Sequence, residues 1–304
     1  MRFRASAAAV TGALALSAFA VPAAHADGAG SAYRAQAGKL LRAAHSAPGK
    51  QGVTSVRGGT PYDLDVSFTH FKVAKAITVG TTHHIAATVT YTLNHGADVD
   101  ITADDFLNGP FIYRGSFEAS DNVVFGDEPA TCKVVTATTA NCTGKIDIYP
   151  GEGYLRNPDA GSWKGGALAL AFNGQNQEHP DPSKVGVARK GGLGRTSLQR
   201  GSRQSVNASP EPVRKGKAIT VTGALTRADW EDNKYHGYTR QSVKLQFKKK
   251  GAAAYTTLKT VKTDSRGNLR TTVKASADGY FRFSFAGTST TPAVNSTADF
   301  VDVR

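Results

Sequence analysis

Cysteine is scarce in this chain: Cys132 and Cys142 are the only two in 304 residues. They lack the Cys-x-x-Cys spacing and have no nearby His, which argues against a redox or metal pair. Long apolar runs are missing too. After residue 26 nothing approaches the roughly 20 residues that a membrane helix requires. Catalytic constellations are also absent. There is no Gly-x-Ser-x-Gly elbow, no His-Glu-x-x-His helix and no Gly-x-x-x-x-Gly-Lys-Ser/Thr loop, so no enzyme chemistry can be assembled. The glycine-rich stretch Lys190–Thr196 is predicted to have neither the strand nor the helix a phosphate loop needs. Base-stacking motifs are missing, which excludes nucleic acid as the expected partner.

What is present starts with a secretory pattern. Arg2 and Arg4 precede the apolar run Ala5–Val21, and Ala24-His25-Ala26 offers a small-x-small cleavage site. Residues 1–26 are therefore expected to be a signal peptide and the rest a secreted, extracellular protein. An even cysteine count in such a chain predicts one disulfide, Cys132–Cys142, closing a hairpin that turns near Ala137.

The strongest pattern is period-two alternation. Val243, Leu245 and Phe247 alternate with Lys244, Gln246 and Lys248; Leu269, Thr271 and Val273 with Arg270, Thr272 and Lys274; Phe281, Phe283 and Phe285 with Tyr280, Arg282 and Ser284. Each set predicts a strand with one face in a core and the other in solvent. Lys250-Gly251, Asp264-Ser265-Arg266-Gly267 and Asp278-Gly279 supply tight turns between them. Similar alternation at Tyr62–Phe68 and Ile85–Leu93, with further short strands, predicts a sandwich in the first half. The expected division is a flexible segment 27–60, in which Ser31–His45 could form a short helix that is at most loosely docked, a first sandwich 61–175, a linker 176–195, in which Val185–Val187 could add an edge strand to either sandwich, and a second sandwich 196–304.

The second half carries a resemblance. Asn207-Ala208-Ser209-Pro210-Glu211-Pro212, Lys215-Gly216, Ile219-Thr220-Val221-Thr222-Gly223, Val243–Phe247, Thr263-Asp264 with Gly267, and Phe285-Ala286-Gly287 stand where the immunoglobulin-like repeat of exported actinobacterial proteins has similar residues. Residues 196–304 resemble that repeat; the first half resembles it only in pattern. The resemblance implies an all-β protein of two tandem immunoglobulin-like antiparallel sandwiches, used as a spacer or for adhesion and without catalytic residues. Some such chains look like proteins labelled calcium-binding.

Charge is unevenly spread. Residues 60–175 hold 7 Lys and Arg against 13 Asp and Glu, a net of −6, whereas residues 213–304 hold 17 against 7, a net of +10. Lys244, Lys248, Arg270, Lys274 and Arg282 fall on outward strand positions and are the candidate polyanion-binding residues; an anionic cell-wall polymer, or another extracellular protein, is the expected partner. Asp98, Asp100, Asp104 and Asp105 form an acidic loop, and a second cluster stands at Asp121, Asn122, Asp127 and Glu128. Calcium takes six to eight oxygens from such carboxylates, so the first loop is the calcium candidate and a calcium-binding protein the alternative reading. His70, His83, His84 and His95 lie in or beside strands; His83 and His84 are expected on opposite faces and unable to chelate together.

Overall fold

The computed structural model describes residues 28–45, 59–119, 122–151 and 155–304. The expected signal peptide, 1–26, lies outside the described residues, as does much of the segment 27–60.

The first sandwich is built from β1 (Tyr62–Asp63), β2 (Val66–Lys72), β3 (Ile77–Val79), β4 (Ile85–His95), β5 (Phe106–Tyr113), β6 (Val123–Phe125), β7 (Thr131–Thr136), β8 (Thr139–Ile148), β9 (Gly161–Ala171) and β10 (Gly186–Arg200). One sheet has the order β2-β4-β8-β7; the other has β1-β10-β9-β5-β6, with β3 also pairing β10. The run from Tyr62 to Phe68, expected as one strand, divides at Leu64: β1 joins β10 in parallel and β2 joins β4 in the opposite sheet. Phe68, Val89, Tyr91, Ile112, Ile146, Trp163 and Leu198 fill the space between the sheets.

The second sandwich contains β11 (Ser202–Gln204), β12 (Asn207–Ser209), β13 (Ala218–Asp229), β14 (Lys234–Gly237), β15 (Ser242–Lys249), β16 (Thr256–Lys262), β17 (Asn268–Lys274), β18 (Gly279–Phe285), β19 (Val294–Asn295) and β20 (Asp299–Val301). β13 pairs with β11, β12, β14 and β17; the facing sheet runs β16-β15-β18 and closes with β19 and β20. The alternation read from the sequence holds. Phe281, Phe283 and Phe285 are buried with Val243, Leu245 and Leu269, while Tyr280 and Arg282 stand on the outer side, half-buried. The turn before β17 forms as its residues predict: Asp264 accepts from the N–H groups of Arg266 and Asn268, both at 2.8 Å.

In both sandwiches the strands divide between sheets in the immunoglobulin manner. The first, second, fifth and fourth main strands of the first sandwich (β2, β4, β8, β7) share one sheet, and the third, sixth and seventh (β5, β9, β10) the other. The second sandwich repeats this with β16 added beside β15 in place of a fourth strand in the first sheet. The chain is thus a tandem of two immunoglobulin-like sandwiches.

Two expectations about boundaries are corrected. Residues 186–195, expected within a linker 176–195, form most of β10, an interior strand paired along its length with β9. The sandwich 61–175 therefore extends to Arg200, and the second begins at Ser202 rather than residue 196. The glycines that looked like linker mark an irregularity in that pairing between Lys190 and Gly194. The ring of Phe117 covers this stretch so closely that a Cβ on Gly191 would lie 2.6 Å from it.

The second correction concerns the segment 27–60, expected to be flexible. Within it Gly28–His45 is a helix, α1, docked on the first sandwich. Tyr33, Ala37, Leu40 and Leu41 are buried against a cluster that includes Phe111, Phe125, Leu168, Leu170, Phe172 and Val187. The cause lies in β9. Ala167 and Ala169 face the inter-sheet core, and Leu168 and Leu170 face the helix. A strand apolar on both faces must be covered on both. Tyr33 comes so close to β5 that a Cβ on Gly109 would sit 2.2 Å from its hydroxyl oxygen.

The sandwiches meet in a tight junction. Only Gly201 separates β10 from β11. Trp230, in the turn between β13 and β14 of the second sandwich, is 1% exposed and belongs to the core of the first. Its indole N–H donates to the Val79 carbonyl at 3.3 Å. Asn157 of the first sandwich accepts from the Trp230 N–H at 3.1 Å and donates to Asp229 at 2.8 Å and Glu231 at 3.1 Å. Buried Arg200 donates to the Ala228 carbonyl at 2.6 Å, and its backbone N–H donates to Thr290 at 2.9 Å.

Candidate functional site

The five candidate basic residues do not share one surface. β15 and β18 pair with Gln246 opposite Arg282 and Lys248 opposite Tyr280, so Lys244, Lys248 and Arg282 stand on the outer face of the sheet β16-β15-β18-β20. Arg270 and Lys274 lie on β17, which pairs with β13 in the other sheet, and they face outward there. Alternation showed that all five point to solvent. It could not show from which sheet.

On the first of these faces Lys262 joins the group, opposite Ser242 on β16. Aromatic rings are set among the cations. The Arg282 guanidinium lies 3.8 Å from the Tyr255 ring centroid and donates to Gln246 at 2.8 Å. The Lys248 ammonium is 5.2 Å from Tyr255 and 5.4 Å from Tyr280, and that of Lys250 is 5.8 Å from Phe300. Such contacts fix long cationic side chains that would otherwise sample many rotamers. Alternation had already set Tyr280 on the outward side of its strand, but not Tyr255 or Phe300; Phe300 reaches this face only through the β18–β20 pairing that sets it opposite Tyr280.

The expected disulfide is present. Cys132 and Cys142 are opposite one another on β7 and β8 and are bonded, with the turn at residues 137–138 between the strands. Beside it Val134 and Val135 are exposed on β7, at 50% and 56%.

Two carboxylates of the acidic loop make local hydrogen bonds. Asp100 turns back to accept from the Thr102 hydroxyl at 2.6 Å and its N–H at 2.9 Å, and these bonds hold its carboxyl below the usual range. Asp105 accepts from the Gly174 N–H at 2.6 Å. Among the described residues, neither of the two groups in which three potential ligand atoms converge includes Asp98, Asp100, Asp104 or Asp105.

One of those groups is His84, Asp127 and Asp147. Asp147, 6% exposed, accepts from His84 Nε2 at 2.7 Å and from the Asp127 N–H at 2.8 Å. Asp127 pairs with Arg34 of α1 and accepts from the Tyr149 hydroxyl. Desolvation, and then the bond to Asp127, push the Tyr149 hydroxyl well above its ordinary range. The His84 ring stacks on Tyr149 at 4.4 Å. The oxygens of both carboxylates are thus engaged, and the network clamps α1 to the sandwich rather than leaving ligand positions open. The signal for it was Asp147 itself, a lone carboxylate between Ile146 and Ile148.

The second group, Asp229, Asp232 and His236, sits at the junction. His236 Nε2 is 2.5 Å from Asp232. Burial raises the Asp229 pKa, but the bonds from Asn157 and the Glu231 N–H, with the charges of Arg200 and His236, outweigh it and hold the carboxyl below its usual range. Asp229 is held in the contacts that join the two sandwiches.

Fold and surface together define a tandem immunoglobulin-like protein with a basic, aromatic outer face. No protein-family model matches the chain, and no curated protein matches it. Among solved structures it is similar to the adhesin InvE of Yersinia pseudotuberculosis, at 11% identity over 82% of this chain with a TM-score of 0.24. It is also similar to the Escherichia coli adhesin FdeC, at 13% identity over 79% with a TM-score of 0.27. A third similar structure is the Dpr2 Ig1-Ig2 complex with DIP-Theta, at 11% identity over 79% of this chain and 99% of that one, with a TM-score of 0.27. The chain spans 61% of the InvE structure and 65% of the FdeC structure. At these scores the likeness carries nothing about function, and the fold assignment rests on the strand order.

Proposed function

We propose that this is a secreted, non-enzymatic surface-interaction protein whose second sandwich binds an anionic cell-wall polymer. The observation behind this reading is the outer face of β16-β15-β18-β20, where Lys244, Lys248, Lys262 and Arg282 stand together in a region of net charge +10. A polymer carrying many negative groups is attracted by all of them at once, which single ions are not. The first sandwich, with a net charge of −6 over residues 60–175, is repelled by the same polymer and faces away from it. The junction around Trp230 keeps the two ends of the molecule in fixed relation.

The test separates the two basic faces. Charge reversal at Lys244, Lys248 and Arg282 releases the full chain from isolated cell wall. Reversal at Arg270, Lys274 and Arg214 changes the net charge by the same amount but leaves retention largely intact, because Arg270 and Lys274 lie on the other sheet and Arg214 lies outside the sheet β16-β15-β18-β20. Equal loss from both variants would mean that total charge, and not this face, controls binding.

A further inference from the structure

The outer face of the second sandwich holds more than charge. A row crosses three strands: Lys248 on β15 stands opposite Tyr280 on β18, and Tyr280 opposite Phe300 on β20. Tyr280 and Phe300 have ring centroids 5.1 Å apart. In the neighbouring row Gln246 stands opposite Arg282, whose guanidinium it anchors against Tyr255. All three rings are half-buried, on the side of the sheet turned away from the core formed by Phe281, Phe283 and Phe285.

A surface serving only to attract phosphates or carboxylates has no use for such rings. Flexible lysines on a polar sheet suffice, and an aromatic ring on a solvated face raises the risk of aggregation. Rings and cations together suit a ligand that is apolar on one side and anionic on another. The C–H faces of a sugar ring are apolar and lie flat on aromatic side chains; carboxylates on the same sugar meet a guanidinium already held in place. The anchoring of Arg282 by Gln246 and Tyr255 lowers the ordering cost of that contact.

Resting on the reading that this face binds an anionic polymer, we propose that its ligand is an anionic polysaccharide. Sugar rings lie on Tyr255, Tyr280 and Phe300, and their carboxylates are met by Arg282, Lys248 and Lys250. The rings set specificity, and the cations set strength and salt dependence.

The experiment compares three polymers on the full chain by affinity electrophoresis at low salt: sodium polygalacturonate, linear polyphosphate as a polyanion without sugar, and dextran as a sugar polymer without charge. Polygalacturonate is expected to bind most tightly and dextran not measurably. Tyr255→Ala, in the loop before β16, lowers polygalacturonate affinity by about fivefold to tenfold, since one stacking contact contributes about 1 kcal/mol, and lowers polyphosphate affinity by a clearly smaller factor, through the loosened Arg282 alone. Tyr255→Phe keeps the ring and retains binding, which separates loss of stacking from loss of fold. Arg282→Gln weakens both anionic polymers. Polyphosphate binding as tightly as polygalacturonate, with Tyr255→Ala lowering both by the same factor or neither, would overturn the polysaccharide assignment and leave the charge-based reading standing. Dextran binding as tightly as polygalacturonate would also overturn it, by removing the role of charge. Failure of both anionic polymers to bind would overturn the assignment and the proposed function together.

Discussion

Trp230 belongs to the second sandwich by sequence and to the first by packing. Replacing it with alanine empties a fully buried indole site between Val79 and the first core and removes its N–H bond to the Val79 carbonyl, which keeps the Gly201 N–H at 2.8 Å. Large-to-small changes of this kind cost about 3–5 kcal/mol. At about 2–4 °C per kcal/mol for a folded unit of this order of size, the melting temperature falls by about 6–20 °C. The more diagnostic consequence is loss of coupling. In the parent protein a differential scanning calorimeter is expected to record one transition, because the junction ties the sandwiches together. In Trp230→Ala it records two, with the first sandwich melting earlier although the substitution lies outside it. Trp230→Phe, which fills most of the space and loses only the N–H bond, costs about 1–2 kcal/mol and keeps a single transition. A Trp230→Ala protein melting within about 2 °C of the parent in one transition would refute the claim that this side chain joins the two cores.

Other consequences follow from the same packing. Phe283→Ala, at the centre of the second core, costs about 3–5 kcal/mol in a urea titration, whereas Arg282→Ala on the same strand costs under about 1 kcal/mol. Reduction of Cys132–Cys142 lowers stability by about 2–3 kcal/mol in the same titration, with most of the effect in the first sandwich. Asp229 has its pKa lowered in the fold, so its contribution to stability is present above the unfolded carboxylate pKa of about 3.9 and is lost as pH falls through the lower folded value. Asp229→Asn should therefore be less stable than the parent at neutral pH, and the difference should shrink in acid; a difference that stays constant across that range would show that the carboxylate charge is not what the junction uses.

The second sandwich was legible because its strands obey one rule. Val243, Leu245, Phe281, Phe283 and Phe285 face a single core, and a period of two reports that directly. The cysteine pair was legible because both residues lie on one local hairpin. Strand β10 was not, because its glycines accommodate a neighbouring ring and an irregular pairing, and glycine in both roles looks the same as glycine in a linker. The firm docking of helix α1 was hidden for a different reason. Its apolar stripe is thin, and its docking is decided by Leu168 and Leu170 on a strand more than 100 residues away. For the candidate surface, outwardness was readable but partnership was not: Phe300 and Lys248 share one face only because β18 lies between β15 and β20.

The central claim is that the outer face of the second sandwich holds the protein on an anionic polymer through charge. It is tested most directly by retention of the full chain on isolated cell wall as salt rises from ~0.1 M to ~1 M, which shortens the Debye length from ~10 Å to ~3 Å. The account predicts a steep fall in retention across that range, and little retention at any salt for the variant reversed at Lys244, Lys248 and Arg282. Retention that stays level through the titration, and is the same in the variant, would contradict it.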